Sequence, residues 1–205
     1  MNLSVNKVGK RFLNTWIFRD ISLSLKSSNT YALVGHNGSG KSTLLQILAG
    51  YLSPSEGEVS FVQDGVEIKR DDIHRYLSFC SPYTELIEEL TLEEHIKFHN
   101  KFRPFVEGLD ARAVMQIMNL DHEWDKTVRF FSSGMKQRLK LALSILSDSS
   151  FILLDEPSTN LDKQSTDWFL KTLERYRGDR LVIIASNVED DLRLCNEEIS
   201  VERYK

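Results

Sequence analysis

The sequence predicts an α/β fold: a mainly parallel sheet core, an N-terminal antiparallel β part and a helix-rich insert. Three observations predict it. Short apolar strand patterns alternate with helical patterns in the first and last thirds of the chain. A helical period fills the middle, roughly residues 85–148. A Gly-rich stretch from Gly35 to Ser42 stands between an apolar run and a helical one.

The elements follow in chain order. Residues Met1 to Leu13 alternate polar and apolar side chains. Leu23 and Leu25 alternate with Ser22, Ser24 and Lys26, the pattern of a half-buried strand. Tyr31-Ala32-Leu33-Val34 is apolar throughout and reads as a buried strand, and Thr43 to Ala49 reads as a helix. Val59–Val62 and Val66–Ile68 flank Asp64-Gly65, a hairpin signal. Thr91 precedes Leu92-Glu93-Glu94, a capping-box pattern, and the helix it starts should stop near Pro104. A second helix covers Asp110 to Leu120. A third follows Ser132, with Met135, Leu139, Ala142, Leu143 and Leu146 at helical spacing. Phe151–Leu154 is a strand, Gln164–Arg177 a helix with Gly178 just past its end, and Leu181–Ala185 a strand before a short polar helix near Glu189. We expect one domain over residues 1–205, its core formed by 1–84 and 149–205 and its helical part by 85–148.

Composition narrows the function. The 205 residues carry 26 Lys and Arg against 30 Asp and Glu, a formal net charge of −4. A strongly basic protein held to nucleic acid by phosphate contacts is excluded, and no nucleic-acid partner is expected. Cys80 and Cys195 are too few for a disulfide framework and lack metal-ligand spacing, which points to a reducing compartment. No segment approaches the ~20 apolar residues that span a bilayer, and the start has no apolar h-region. A cytoplasmic location is expected, with any membrane role coming through a partner. No separate regulatory domain is expected in a chain of this length.

The strongest motif is Gly35-His36-Asn37-Gly38-Ser39-Gly40-Lys41-Ser42, which fits the P-loop pattern G-x-x-x-x-G-K-[ST] and leads into Thr43. Its glycines let successive N–H groups turn toward phosphate oxygens, and the helix start adds its positive dipole end. Lys41 should reach the β- and γ-phosphates, and Ser42 should bind Mg²⁺. A dinucleotide fingerprint starting at Gly38 fails, because Thr43 stands where glycine is needed.

Phe151-Ile152-Leu153-Leu154-Asp155-Glu156-Pro157 puts two carboxylates at the end of a buried strand, where open α/β sheets bind ligands. Asp155 suits a Mg²⁺ contact, direct or through water. Glu156 suits orientation or deprotonation of an attacking water.

Together these features resemble the ATP-binding subunit of an ABC transporter over nearly the whole chain. Ser132-Ser133-Gly134-Met135, followed by Lys136-Gln137-Arg138, resembles that family's signature sequence Leu-Ser-Gly-Gly-Gln. The resemblance implies that Ser132 and Gly134 touch the γ-phosphate held by the other subunit of a dimer. Ser132 also reads as a helix N-cap. Ser158-Thr159-Asn160-Leu161-Asp162 resembles the loop that crosses the dimer interface. Phe12 stands where the family places an aromatic against adenine; core packing is its other reading, and Trp16 is a rival.

The sequence departs from the family pattern at four places. Phe131, Ser133 and Met135 replace signature residues. Phe79-Cys80-Ser81-Pro82-Tyr83-Thr84-Glu85 contains no Gln where the family has a Mg²⁺ and water contact; Ser81 or Tyr83 is the candidate substitute. Ser186-Asn187 follows the strand where the family has a switch His. Asn187 can hydrogen-bond phosphate but carries no charge near pH 7. It also reads as a helix N-cap, with Asp190 three residues on. Leu13 follows Phe12 where glycine is common.

Two further features carry no chemistry of their own. His95 and His99 have the spacing of a zinc-protease pair, but Ile96 occupies the position of its Glu. Glu85, Glu88, Glu89, Glu93 and Glu94 form an acidic run, read as a solvated face and helix start. In the family this region receives a helix of the membrane subunit, and Tyr83, Leu86 and Leu90 could line that groove.

The leading expectation is an ATPase that powers transport: ATP and Mg²⁺ bound, ATP-dependent homodimerisation, and a separate transmembrane subunit. The protein would then sit peripherally at the inner face of the membrane. Glu156, Lys41 and Asn187 would act on the γ-phosphate. Two alternatives are an ABC-type ATPase acting on ribosomes or DNA, and a slow-turnover dimerisation switch.

Overall fold

The computed structural model describes residues Met1 to Lys205. The chain divides into two compact units.

The first unit comprises residues 1–79, 149–156 and 178–205. Its antiparallel sheet contains β1 (Asn2–Phe12), β2 (Thr15–Lys26), β4 (Glu56–Gln63) and β5 (Val66–Ile68) in the order β2-β1-β4-β5. The predicted hairpin is β4–β5, and Gln63 pairs with Val66 across the turn. Asp64 and Gly65 have φ of 52° and 81°, the positive pair that a type I′ turn needs. A second sheet is formed by β3 (Thr30–Val34), β6 (Leu77–Cys80), β7 (Phe151–Asp155), β8 (Leu181–Ala185) and β9 (Glu197–Ser200), in the order β6-β7-β8-β3-β9. β3 runs parallel to both β8 and β9, and β7 parallel to β8. Helix α1 (Lys41–Leu48) packs against β7 and β8. Every residue of β7 and β8 is buried, as uninterrupted apolar runs require when both sheet faces are covered. Leu44, Leu45 and Leu48 of α1 join Phe18, Phe61, Phe151 and Ile183 in the core.

The second unit comprises residues 80–148 and 157–177. It holds α2 (Leu92–Phe102), α3 (Ala111–Ile117), α4 (Ser133–Leu146) and α5 (Lys163–Tyr176). The capping box forms as read: Thr91 Oγ1 accepts from Glu94 N–H, and the Glu94 carboxylate accepts from Thr91 N–H. Asp110, Ser132 and Asp162 cap the other three helices. The unit is larger than the 85–148 insert because α5 packs on α4. Arg138 of α4 donates to Ser165 Oγ of α5 at 2.6 Å, and Trp168 of α5 donates to the Ile117 carbonyl of α3 at 2.6 Å. No helix is long and apolar enough to cross a membrane.

Candidate functional site

The Gly-rich loop leaves β3 at its C-terminal end and enters α1. Gly35, Gly38 and Gly40 have φ of 149°, 80° and 105°, values that side chains rarely adopt. At Gly40 space also demands glycine, because a Cβ there would lie 2.6 Å from Ile17 Cγ2. Gly40 gives α1 no side-chain cap, so the first-turn N–H groups are the orphan donors of a helix start. The Lys41 ammonium folds back on the loop, donating to the Gly35 carbonyl at 2.7 Å and the His36 carbonyl at 3.4 Å. A cavity of ≈ 430 Å³ opens above this loop, lined by Ile17, Asn37, Gly38, Gly40, Lys41, Ser42, Thr43 and Glu156. Ser39 is fully buried and does not line it.

β7 ends in Asp155, beside Ser42, and leads into Glu156, which lines this cavity. Asp155 is buried and accepts from Ser42 Oγ at 3.0 Å. Burial pushes its carboxyl above the usual carboxylate range, while the Ser42 bond and the Lys41 charge pull it down. Glu156 turns out of the strand with φ of 47°, and its N–H still bonds the Ala185 carbonyl at 2.8 Å. That left-handed turn aims the carboxylate into the cavity. Burial raises the Glu156 carboxyl; Asp155 and Asp191 add to the rise, while Lys41 and Ser186 oppose it.

Behind Glu156 lies a polar chain that the sequence reading missed. Ser186 Oγ donates to Asp191 Oδ2 at 2.6 Å, accepts from Val188 N–H at 3.0 Å and lies 3.3 Å from Glu156 Oε2. Ser186 and Asp191 are fully buried. The available signal was positional. β7 and β8 pair Asp155 with Ala185, so the residue after Ala185 stands beside Glu156. Ile17 was also missed. It is the apolar wall of the cavity, and only its place on β2 brings it to Gly40.

Asn187 follows on the same loop and donates to Asn37 Oδ1 at 2.7 Å. Its reading as a helix N-cap is corrected: the cap position of the 3₁₀ turn Glu189–Leu192 is Val188, with no side-chain cap bond. The Asn187 side chain bonds the phosphate loop instead. Phe12, at the end of β1, is 49% exposed and does not line the cavity. Lys10 Nζ stands 5.0 Å from its ring centroid. Trp16, the rival aromatic, is occupied by Arg19 and Arg11, whose guanidinium carbons stand 4.3 and 5.6 Å from the ring centroid.

In the second unit, Ser132 caps α4 by accepting from Met135 N–H at 3.2 Å. A cavity of ≈ 340 Å³ lies beside it, lined by Ser132, Ser133, Gly134, Arg138 and Asn160 among others. A Cβ on Gly134 would stand 3.3 Å from the Asn160 carbonyl, so glycine permits this close approach. Ser81 is buried with its hydroxyl 3.2 Å from Thr84 Oγ1, and Tyr83 is 85% exposed. Tyr83 and Leu86 line a groove of ≈ 610 Å³ with Pro82, Glu88, Lys136 and Lys140; Leu90 does not line it. Lys140 donates to the Pro82 carbonyl at 3.1 Å, and Lys136 pairs with Glu88. His95 Nε2 accepts from Ile87 N–H at 3.2 Å, His99 bonds Ser147, and no metal-holding cluster includes either.

The chain is similar to known proteins in sequence and in fold. The family model described as ABC transporter matches residues 18–159. The human phospholipid-transporting ATPase ABCA3 is 28% identical over 188 residues, covering 89% of this chain and 11% of that protein. The mouse retinal-specific phospholipid-transporting ATPase ABCA4 is 30% identical over 184 residues, covering 88% and 8%. The chain thus spans about a tenth of the length of these relatives. A putative ABC transporter ATP-binding protein from Pyrococcus furiosus superposes with a TM-score of 0.83 at 23% identity, each chain fully covered. The ATP-binding cassette MJ0796, in a dimeric post-hydrolysis state bound to ADP and phosphate, superposes with a TM-score of 0.82 at 20% identity. That match covers 97% of this chain and 93% of the other.

Proposed function

The chain belongs to the ABC transporter family, and from that premise we propose that it binds and hydrolyses ATP to power a transporter. One observation carries this reading: Lys41, Ser42 and Glu156 line one cavity at the sheet's C-terminal edge, with Asp155 bonded to Ser42 at 3.0 Å. The triphosphate takes the loop N–H groups and the first turn of α1. Lys41 keeps the Gly35 carbonyl, and its remaining N–H donors turn to the β- and γ-phosphate oxygens.

The Ser42 hydroxyl and the Asp155 carboxylate supply converging oxygen donors, which suit a hard cation, so these residues fit Mg²⁺. When bound there, Mg²⁺ would neutralise charge on the phosphates. Glu156 accepts the proton of the attacking water. The new oxygen–phosphorus bond forms in line as the bond to the bridging oxygen breaks, and ADP leaves with that electron pair. Asn187 donates a neutral hydrogen bond toward the γ-phosphate, in place of a group that could carry charge.

The open cavity leaves the far side of the γ-phosphate uncovered. We assign that side to Ser132 and Gly134 of a second copy, in an ATP-dependent homodimer, where the start of α4 faces the phosphate. The dimeric ADP-and-phosphate state of the MJ0796 cassette supports this arrangement. The groove at Tyr83 and Leu86 suits a helix of a transmembrane subunit, its rim carrying Glu88 against Lys136 and Lys140. The protein then works peripherally at the membrane through that subunit.

Phosphate release from ATP by the purified chain tests the reading. Glu156→Gln should lower it about 100-fold, the range for a general base, while ATP binding persists. Equal release by both proteins removes Glu156 from the base role.

A further inference from the structure

We propose that Glu202 is a positioning residue for ATP binding: it fixes the Gly35–His36 peptide on which Lys41 rests. The proposal builds on the ATP-binding reading above and adds a residue outside every motif so far described.

The register of the sheet creates the contact. β9 pairs in parallel with β3, with Val34 opposite Ser200. Two residues further along each chain stand His36, inside the phosphate loop, and Glu202, in the 3₁₀ turn Val201–Tyr204. Val201 is fully buried, and this turn packs on β2, so the carboxylate is carried on an anchored element.

Glu202 Oε1 accepts the His36 backbone N–H at 2.6 Å and faces His36 Nδ1 at 2.6 Å. Lys205 Nζ stands 3.1 Å from the other ring nitrogen, which makes Nδ1 the protonated nitrogen and Nε2 the acceptor. The same peptide is held from its opposite end, because Lys41 Nζ donates to the Gly35 carbonyl at 2.7 Å. One peptide unit therefore sits between a carboxylate on its N–H and an ammonium on its carbonyl. Each charge polarises the peptide in the sense that strengthens the other bond. Gly35 makes room for this: a Cβ there would lie 3.3 Å from Glu202 Cγ and 2.6 Å from Ser39 Oγ.

A carboxylate beside a triphosphate site is repulsive if it acts by charge alone, so removing its charge would tighten ATP binding. If it acts by holding the loop, removing its acceptor weakens binding. The two effects have opposite signs.

The test is ATP-dependent phosphate release by the full chain, with KM and kcat separated. Hydrogen bonds to charged groups set the scale, and Glu202→Ala should raise KM roughly tenfold and leave kcat within about twofold. Glu202→Gln keeps an acceptor at the same reach and should stay within about threefold of the parent. Glu202→Asp withdraws the carboxylate by one methylene and should raise KM more than Gln does; this ordering carries the test should the Ala variant fail to fold. Lys205→Ala removes neither bond to Glu202 and should leave KM within about twofold. An unchanged or lower KM in Glu202→Ala, an Asp variant no worse than Gln, an equal rise in Lys205→Ala, or a loss confined to kcat each overturns the proposal. A parent protein that binds no ATP overturns the underlying reading instead.

Discussion

The Asn187 side-chain amide donates to the Asn37 side-chain carbonyl at 2.7 Å, joining the loop after β8 to the phosphate loop. Both residues are exposed and Asn37 lines the cavity, so the bond is available for exchange with a phosphate oxygen. An amide can donate there but cannot take up a proton near pH 7. Asn187→Ala should therefore lower kcat for ATP roughly fivefold, the worth of one neutral hydrogen bond, with little change in KM. Steady-state phosphate release measures this. A variant with parental kcat would leave Asn187 with no part in the reaction.

Lys41 has a larger effect to lose. It is 6% exposed, and its two partners are backbone carbonyls of its own loop. Those neutral acceptors are weaker partners for an ammonium than phosphate oxygens. Lys41→Ala should weaken ATP binding roughly 10- to 100-fold, the range for hydrogen bonds to charged groups. Titration calorimetry with ATP reads this directly, and a binding constant within twofold of the parent would contradict the placement.

Gly40 is a prediction about stability. Its φ of 105° and the 2.6 Å approach of Ile17 Cγ2 both act against any side chain. Gly40→Ala should cost about 2 kcal/mol or more, the scale of backbone strain plus a local clash. Urea unfolding measures it. A midpoint equal to that of the parent would mean that β2 yields at no cost to make room.

Much of this was legible in the residues. The phosphate loop, the Asp64-Gly65 turn and the Thr91 capping box are local: their partners lie within a few residues, so order along the chain is enough. β7 and β8 were legible because Phe151–Leu154 and Leu181–Ala185 are unbroken apolar runs of strand length. β9 was not, because Glu197-Glu198-Ile199-Ser200 has one buried residue and forms an edge, defined only by its pairing with β3. The grouping of α5 with the helical unit was also hidden, since it depends on packing against α4. Of the two readings of Asn187, only the cap fails: Asp190 three residues on suggests it, whereas the side chain bonds a partner 150 positions away. The place of Ser186 beside Glu156 was missed because neighbouring strand ends, rather than neighbouring residues, bring the two together, and Asp191 follows only through its bond to Ser186.

The final prediction concerns His99, which lies on α2 with its ring stacked on Phe105 at 5.5 Å between centroids. Ser147 donates its hydroxyl to the Leu143 carbonyl, so His99 Nε2 must donate to Ser147 Oγ, at 2.8 Å. A neutral ring satisfies this bond. Burial lowers the ring's pKa from 6.5 to about 4, and the charges of Arg103 and His95 push the same way. The unfolded chain thus takes up the proton first as pH falls. The stability due to a neutral His99 is complete above pH 6.5, is lost progressively toward pH 4, and changes little below that. The slope reaches about 1.4 kcal/mol per pH unit at most. His95 is also lowered by burial and adds to the acid loss of the parent, so the variant comparison isolates His99. His99→Gln keeps an N–H donor for Ser147 and removes the titration. Urea unfolding of both proteins from pH 7 to pH 4 should give curves that converge on acidification, the parent losing more. Curves that stay parallel would show that His99 titrates alike in the folded and unfolded chains.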